Sequence, residues 1–76
     1  MLLDDINEIK ENFDFGMLTD NEVIGQTIDV VTRSIGTKLN ERLASDEDFR
    51  IKFTAFNDAS EATDEFFSFI IDFINS

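Results

Sequence analysis

The side chains in this sequence with strong polar chemistry are carboxylates. Seventeen Asp and Glu stand against six Lys and Arg, a formal net charge of −11 at pH 7. Histidine, cysteine, tyrosine and tryptophan are all absent, which removes the usual general bases, the thiol nucleophile and the phenol. It also leaves zinc and iron–sulfur sites without their common ligands. Ser34 has no base beyond a distant carboxylate, and Asp64 and Glu65 are successive residues on an acidic edge rather than a facing pair. A chain of 76 residues has little room for a pocket that excludes water. The expectation is a protein that is not an enzyme and that carries no cofactor and no metal.

Calcium is an ion that clustered carboxylates could hold. An EF-hand loop needs oxygen ligands at its first, third and fifth positions, glycine at the sixth and glutamate at the twelfth. Counted from Asp58, those positions hold Asp58, Ser60, Ala62, Thr63 and Phe69. Asp46-Glu47-Asp48 likewise lacks the glycine and the closing glutamate.

Spacing gives the acids a different use. Asp4, Glu8 and Glu11, with Asp5 beside them, recur at steps of three and four, which on a helix places carboxylates about 5–6 Å apart. Glu61, Asp64, Glu65 and Asp72 do the same around Ser68. Two such rows can imitate a track of nucleic-acid phosphates and borrow the steering that a basic protein surface exerts on DNA. The same charge opposes direct binding to nucleic acid or to an anionic membrane. A basic protein partner is therefore expected, in particular a nucleic-acid-binding protein inhibited or regulated by DNA mimicry, in the manner of phage or mobile-element proteins. The plainer alternative is that the rows are the wet sides of amphipathic helices, keeping a phenylalanine-rich chain in solution.

Aromatic residues are the second candidate binding element. Nine phenylalanines are present, most of them destined for a core. Any left exposed, with Phe53 and Phe56 the candidates, would anchor a partner or form the seam of a homodimer. A helical module that pairs with a copy of itself, or packs in an assembly, is the alternative function.

The elements that must position these residues read as an all-α bundle of about four helices in one domain spanning residues 1–76. Leu2, Ile6, Ile9 and Phe13 recur at helical spacing over 2–13, and Gly16 is the natural stop. Thr19 and Glu22 have capping-box spacing and open a long helix over about 20–44, striped by Ile24, Ile28, Val31, Ile35, Leu39 and Leu43. Gly25, Thr32 and Gly36 share one side of it, either a face for a close neighbour or weak points. A bend near Gly36 would keep Arg42 out of the apolar stripe. Residues 49–56 carry two patterns. Phe49, Ile51, Phe53 and Ala55 alternate as in a short strand, whereas Phe49, Phe53 and Phe56 share a helical face behind an acidic cap near Asp46. The helix is favoured because a lone strand needs a partner and only Phe13-Asp14-Phe15 offers even a fragment of one.

The last helix, expected over 60–75 with Asp58 or Ser60 as its cap, is the most apolar element. Phe66, Phe67, Phe69, Ile70, Ile71, Phe73 and Ile74 would fill an arc of roughly 200°, where a surface helix shows about 100°. Such a helix needs cover on two sides and is the expected centre of the bundle.

In size, acidity and helical content the chain also resembles acyl carrier proteins, and Ile71-Asp72-Phe73-Ile74-Asn75 is similar to a carrier C-terminus. In that family an Asp-Ser-Leu sequence opens the second helix and its serine takes phosphopantetheine. The nearest match here, Arg33-Ser34-Ile35-Gly36, lacks the aspartate and falls inside the expected long helix, so a carrier function ranks third. Met1-Leu2-Leu3 runs directly into Asp4-Asp5, so no signal peptide is read, and no apolar run is long enough to span a bilayer. Together with the missing cysteines, this makes the cytoplasm the expected location.

Overall fold

The computed structural model describes residues 1–76 and holds four α-helices and no strand: α1 (Leu2–Asp14), α2 (Asp20–Ser45), α3 (Glu47–Ala59) and α4 (Asp64–Asn75). No helix is long and apolar enough to cross a membrane. The body is flattened, 36 × 27 × 16 Å.

α1 begins with Asp4 and Asp5 in its first turn, where the positive end of the helix dipole favours them. It ends on a Schellman motif. Gly16 has φ +76°, its N–H donates to the Phe13 carbonyl and that of Met17 to the Asn12 carbonyl, both at 2.9 Å. A side chain at Gly16 would be strained in this conformation. The capping box then starts α2: the Glu22 N–H donates to Thr19 Oγ1 at 3.3 Å, and the Thr19 N–H donates to Glu22 Oε1 at 3.1 Å.

α2 bends as expected, at Ile35 (φ −137°, ψ 40°) next to Gly36. The bend re-aims the apolar stripe. Val23, Ile24, Thr27, Val31 and Leu39 are buried, while Ile28, Ile35 and Leu43 are only half-buried. The small-residue side is not a packing face. A Cβ at Gly25 would meet nothing within 4 Å, and one at Gly36 would meet only Thr32 of the same helix.

Asp46 joins α2 to α3 without a loop. Its N–H donates to the Arg42 carbonyl at 2.9 Å, and its carboxylate caps α3 by accepting the Phe49 N–H at 3.0 Å. Residues 49–56 are helical throughout. The strand alternative fails at Ile51, which is 57 % exposed, whereas Phe49 is buried and Phe53 and Phe56 are half-buried. Helical spacing therefore decides which side chains face the core.

The start of α4 corrects the sequence reading. Neither Asp58 nor Ser60 caps it. α3 continues to Ala59 and ends on Ser60 in the left-handed conformation, φ 53°. Thr63 is the N-cap of α4, its hydroxyl accepting the Phe66 N–H at 3.1 Å. The intervening segment is tied back to the head of α2 by the Ala62 N–H, which donates to Asp20 Oδ2 at 2.9 Å. That long-range bond offsets the loss of an earlier helix start, and no local pattern announces it.

α4 receives the cover its wide apolar arc demands. Phe66, Phe67, Ile70 and Phe73 are buried, each worth about 1.5–3 kcal/mol of transfer free energy. Phenylalanines of α3 stack on it, with Phe49 to Phe69 at 4.9 Å and Phe49 to Phe73 at 5.1 Å between ring centroids. Lys10 of α1 lies over the Phe67 ring and Lys38 of α2 over the Phe73 ring.

Candidate functional site

Two kinds of residue were expected to act, and the fold sorts them. α3 and α4 meet through rings rather than backbone. Phe56 bridges to Phe66 at 5.7 Å and to Phe69 at 5.2 Å between centroids. Rings used as spacers hold two helices apart and leave a trough above the contact. Here it is a groove of about 530 Å³ lined by Lys52 and Phe56 from α3 and by Asp64, Glu65, Ser68, Phe69 and Asp72 from α4.

The groove continues at both ends. Towards the α3–α4 connection a depression of about 300 Å³ shares Lys52 and Phe56 and reaches Glu61 and Thr63. At the other end one of about 120 Å³ shares Phe69 and Asp72 and reaches Arg42 and Phe49. Asp64, Ser68 and Asp72, four residues apart in succession, form one rim, and all three are exposed. The groove thus has an apolar floor, an acidic wall on α4 and Lys52 on the α3 side, with Arg42 at its far end already paired with Asp46.

The structure brings together Asp64, Glu65, Asp72 and Phe56 of the expected site residues, with Glu61 in the adjoining depression. Glu61 is not on α4, so the expected acidic row on that helix starts at Asp64. Phe53 stacks on Phe49 at 6.1 Å and lines none of the three depressions. Asp4, Glu8 and Glu11 are exposed on α1 and take no part in the groove. Lys52, Ser68 and Phe69 line it as well. In the sequence Ser68 already sat midway along the acidic edge, whereas nothing local marked Phe69 as floor rather than core.

Electrostatics set this face apart. Most cations are engaged elsewhere: Lys10 with Asp14 at 3.7 Å, Arg33 with Asp29 at 3.2 Å and Arg42 with Asp46 at 2.9 Å. Lys38 Nζ donates to the Phe73 and Ile74 carbonyls at 3.2 and 3.4 Å, where the negative end of the α4 dipole favours a cation. Arg50 donates to the Leu43 carbonyl at 3.2 Å. No lysine or arginine pairs with Glu61, Asp64, Glu65 or Asp72. Lys52 makes no ion pair, even with Asp48 one turn before it. Away from the groove, the Phe49 N–H and the Arg42 guanidinium hold the Asp46 carboxyl below its ordinary value.

The arrangement can hold cationic side chains against an apolar floor. No group of three or more carboxylates is placed to hold a metal ion. Ser34, the nearest counterpart of a carrier serine, is exposed within α2 beside the bend at Ile35, and the preceding Arg33 pairs with Asp29. Set against known protein families, curated proteins and solved structures, the chain matches none.

Proposed function

We propose that this chain is a non-enzymatic interaction protein that captures a basic protein surface, of the kind a nucleic-acid-binding protein presents to DNA or RNA. The observation that supports this reading is the α3–α4 groove, in which unpaired Asp64, Glu65 and Asp72 border an accessible floor of Phe56 and Phe69. Carboxylates without internal partners steer a basic surface into contact, and half-buried rings give it an apolar anchor.

The test is capture from nuclease-treated lysate with the tagged chain, compared with a variant carrying Glu61→Lys, Asp64→Lys and Glu65→Lys. A nucleic-acid-processing protein should be retained by the wild type, released by high salt through screening and lost with the variant. Unchanged capture by the folded variant would sink the reading.

One observation favours a second reading, a structural module that self-associates or packs in an assembly. Phe15 and Met17, in the α1–α2 turn, are 78 % and 71 % exposed. Replacing both by serine should then lower the association state measured by sedimentation, while the charge reversals leave it intact.

A further inference from the structure

The groove differs from a simple acidic patch in being a shallow trough, extended by the depressions at its two ends, and electrically two-sided. Its occupant must match all three properties. The walls are helices, whose backbone groups bond within themselves, and the fold contains no strand that could offer an open edge. An extended peptide laid here would leave its own N–H and C=O groups with few partners, whereas a helix satisfies them internally.

With its two end depressions the groove is lined from Phe49 to Ala59 on α3 and from Asp64 to Phe73 on α4, so the walls run about 14–15 Å. A helix of roughly 12–13 residues covers that length. Asp64 and Asp72 lie two turns apart on the same rim, about 12 Å along the axis. They call for Lys or Arg at positions seven or eight apart on the occupant. Lys52, on the opposite wall and without an ion-pair partner, calls for Asp or Glu on the occupant's other flank. Phe56 and Phe69, between the walls, call for Leu or Met along its centre. A second copy of this chain fits poorly, because most of its cations are already engaged within the fold. Nucleic acid is repelled by the acidic wall.

We propose that the α3–α4 groove seats one amphipathic helix of the partner, with basic residues two turns apart facing Asp64 and Asp72 and an acidic residue facing Lys52. The proposal rests on the interaction reading above and deepens it. The partner inserts a protruding helix into this protein, rather than this protein entering a cleft of the partner.

The experiment is a selection of displayed helical peptides of about 13 residues, randomised on one face, against the full chain. Enrichment should give Leu or Met at helical spacing, Lys or Arg seven or eight apart and an acid on the far flank. Ser68→Trp, on an exposed rim position, should reduce binding of the selected peptides to background while circular dichroism stays unchanged. Lys52→Glu should weaken them about fivefold, and a peptide with its acid changed to Lys should recover the loss.

Enriched peptides that lack helical periodicity, or that bind the Ser68→Trp variant as well as the wild type, would overturn the proposal, as would no enrichment at all. The two readings fail separately. If reversing Glu61, Asp64 and Glu65 still abolishes capture while Ser68→Trp does not, acidic steering stands and the groove falls. If the reversal leaves capture unchanged, the interaction reading falls first.

Discussion

The α1–α2 pair and the α3–α4 pair each join helices that follow one another in the chain, yet the two pairs are built from different side chains. Where α1 meets α2 the core is aliphatic and β-branched. Ile6, Val23 and Thr27 are fully buried and Val31 is 1 % exposed. Compact side chains let two backbones approach closely and fill the space between them. α3 contributes one buried residue, Phe49, and touches α4 through rings whose centroids lie 4.9–5.7 Å apart. Large flat side chains set helices further apart and do not tile the seam. The α1–α2 seam is therefore packed shut, whereas the α3–α4 seam keeps an open groove on its outer side while α4 turns Phe66, Phe67, Ile70 and Phe73 into the shared core.

The largest expected effect tests that division directly. Ile6→Ala removes side-chain volume from the closed seam and should cost about 3 kcal/mol, read as a lowered denaturant midpoint. Phe56→Ala, a larger truncation at a half-buried ring, should cost only about 1–2 kcal/mol because solvent already reaches the site. Equal losses would mean that the two seams are packed alike.

Next comes Thr27→Val. The Thr27 hydroxyl is buried without a hydrogen-bond partner, so its replacement by a methyl group of the same shape should raise stability by about 1–2 kcal/mol. A loss instead would show that the hydroxyl finds a partner in solution. Gly25→Ala probes the outer side of α2, where an added Cβ meets nothing within 4 Å. It should stabilise by about 1 kcal/mol, and destabilisation would reveal a neighbour on that face.

The smallest effect lies at Asp46, the joint between the two pairs. Its folded-state pKa is lowered, first by the Phe49 N–H and then by Arg42. The charged form therefore contributes stability that is fully present above the ordinary value of about 3.9 and is lost as pH falls through the lower folded value. Asp46→Asn keeps an acceptor for Phe49 but loses the charge. Its deficit against wild type should be seen at neutral pH and should close as pH drops below about 4. A deficit independent of pH would assign the effect to geometry alone.

Much of the fold was legible because it is local. Thr19 and Glu22 announce their capping box by spacing, Gly16 announces the left-handed turn it occupies, and the run from Phe66 to Ile74 announces a helix that needs cover. The remainder depends on residues distant in the chain. α4 starts at Asp64, where Thr63 supplies the cap and Ala62 is tied to Asp20, far away in the chain. Val23 and Thr27 joined the core because the face that α1 covers fixes the rotation of α2.

By itself the sequence determined the all-helical class, the helix number, the acidity and the lack of histidine and cysteine chemistry, since these follow from residue types and short spacings. Only the tertiary structure decided that Asp64, Glu65 and Asp72 border one groove with Phe56, while Asp4, Glu8 and Glu11 stand elsewhere. It also decided that Lys52 has no ion-pair partner there while the other cations are engaged. Periodicity says which residues share a helix face. Which faces then meet, and how far apart their side chains hold them, is set by packing between helices that the chain order leaves free.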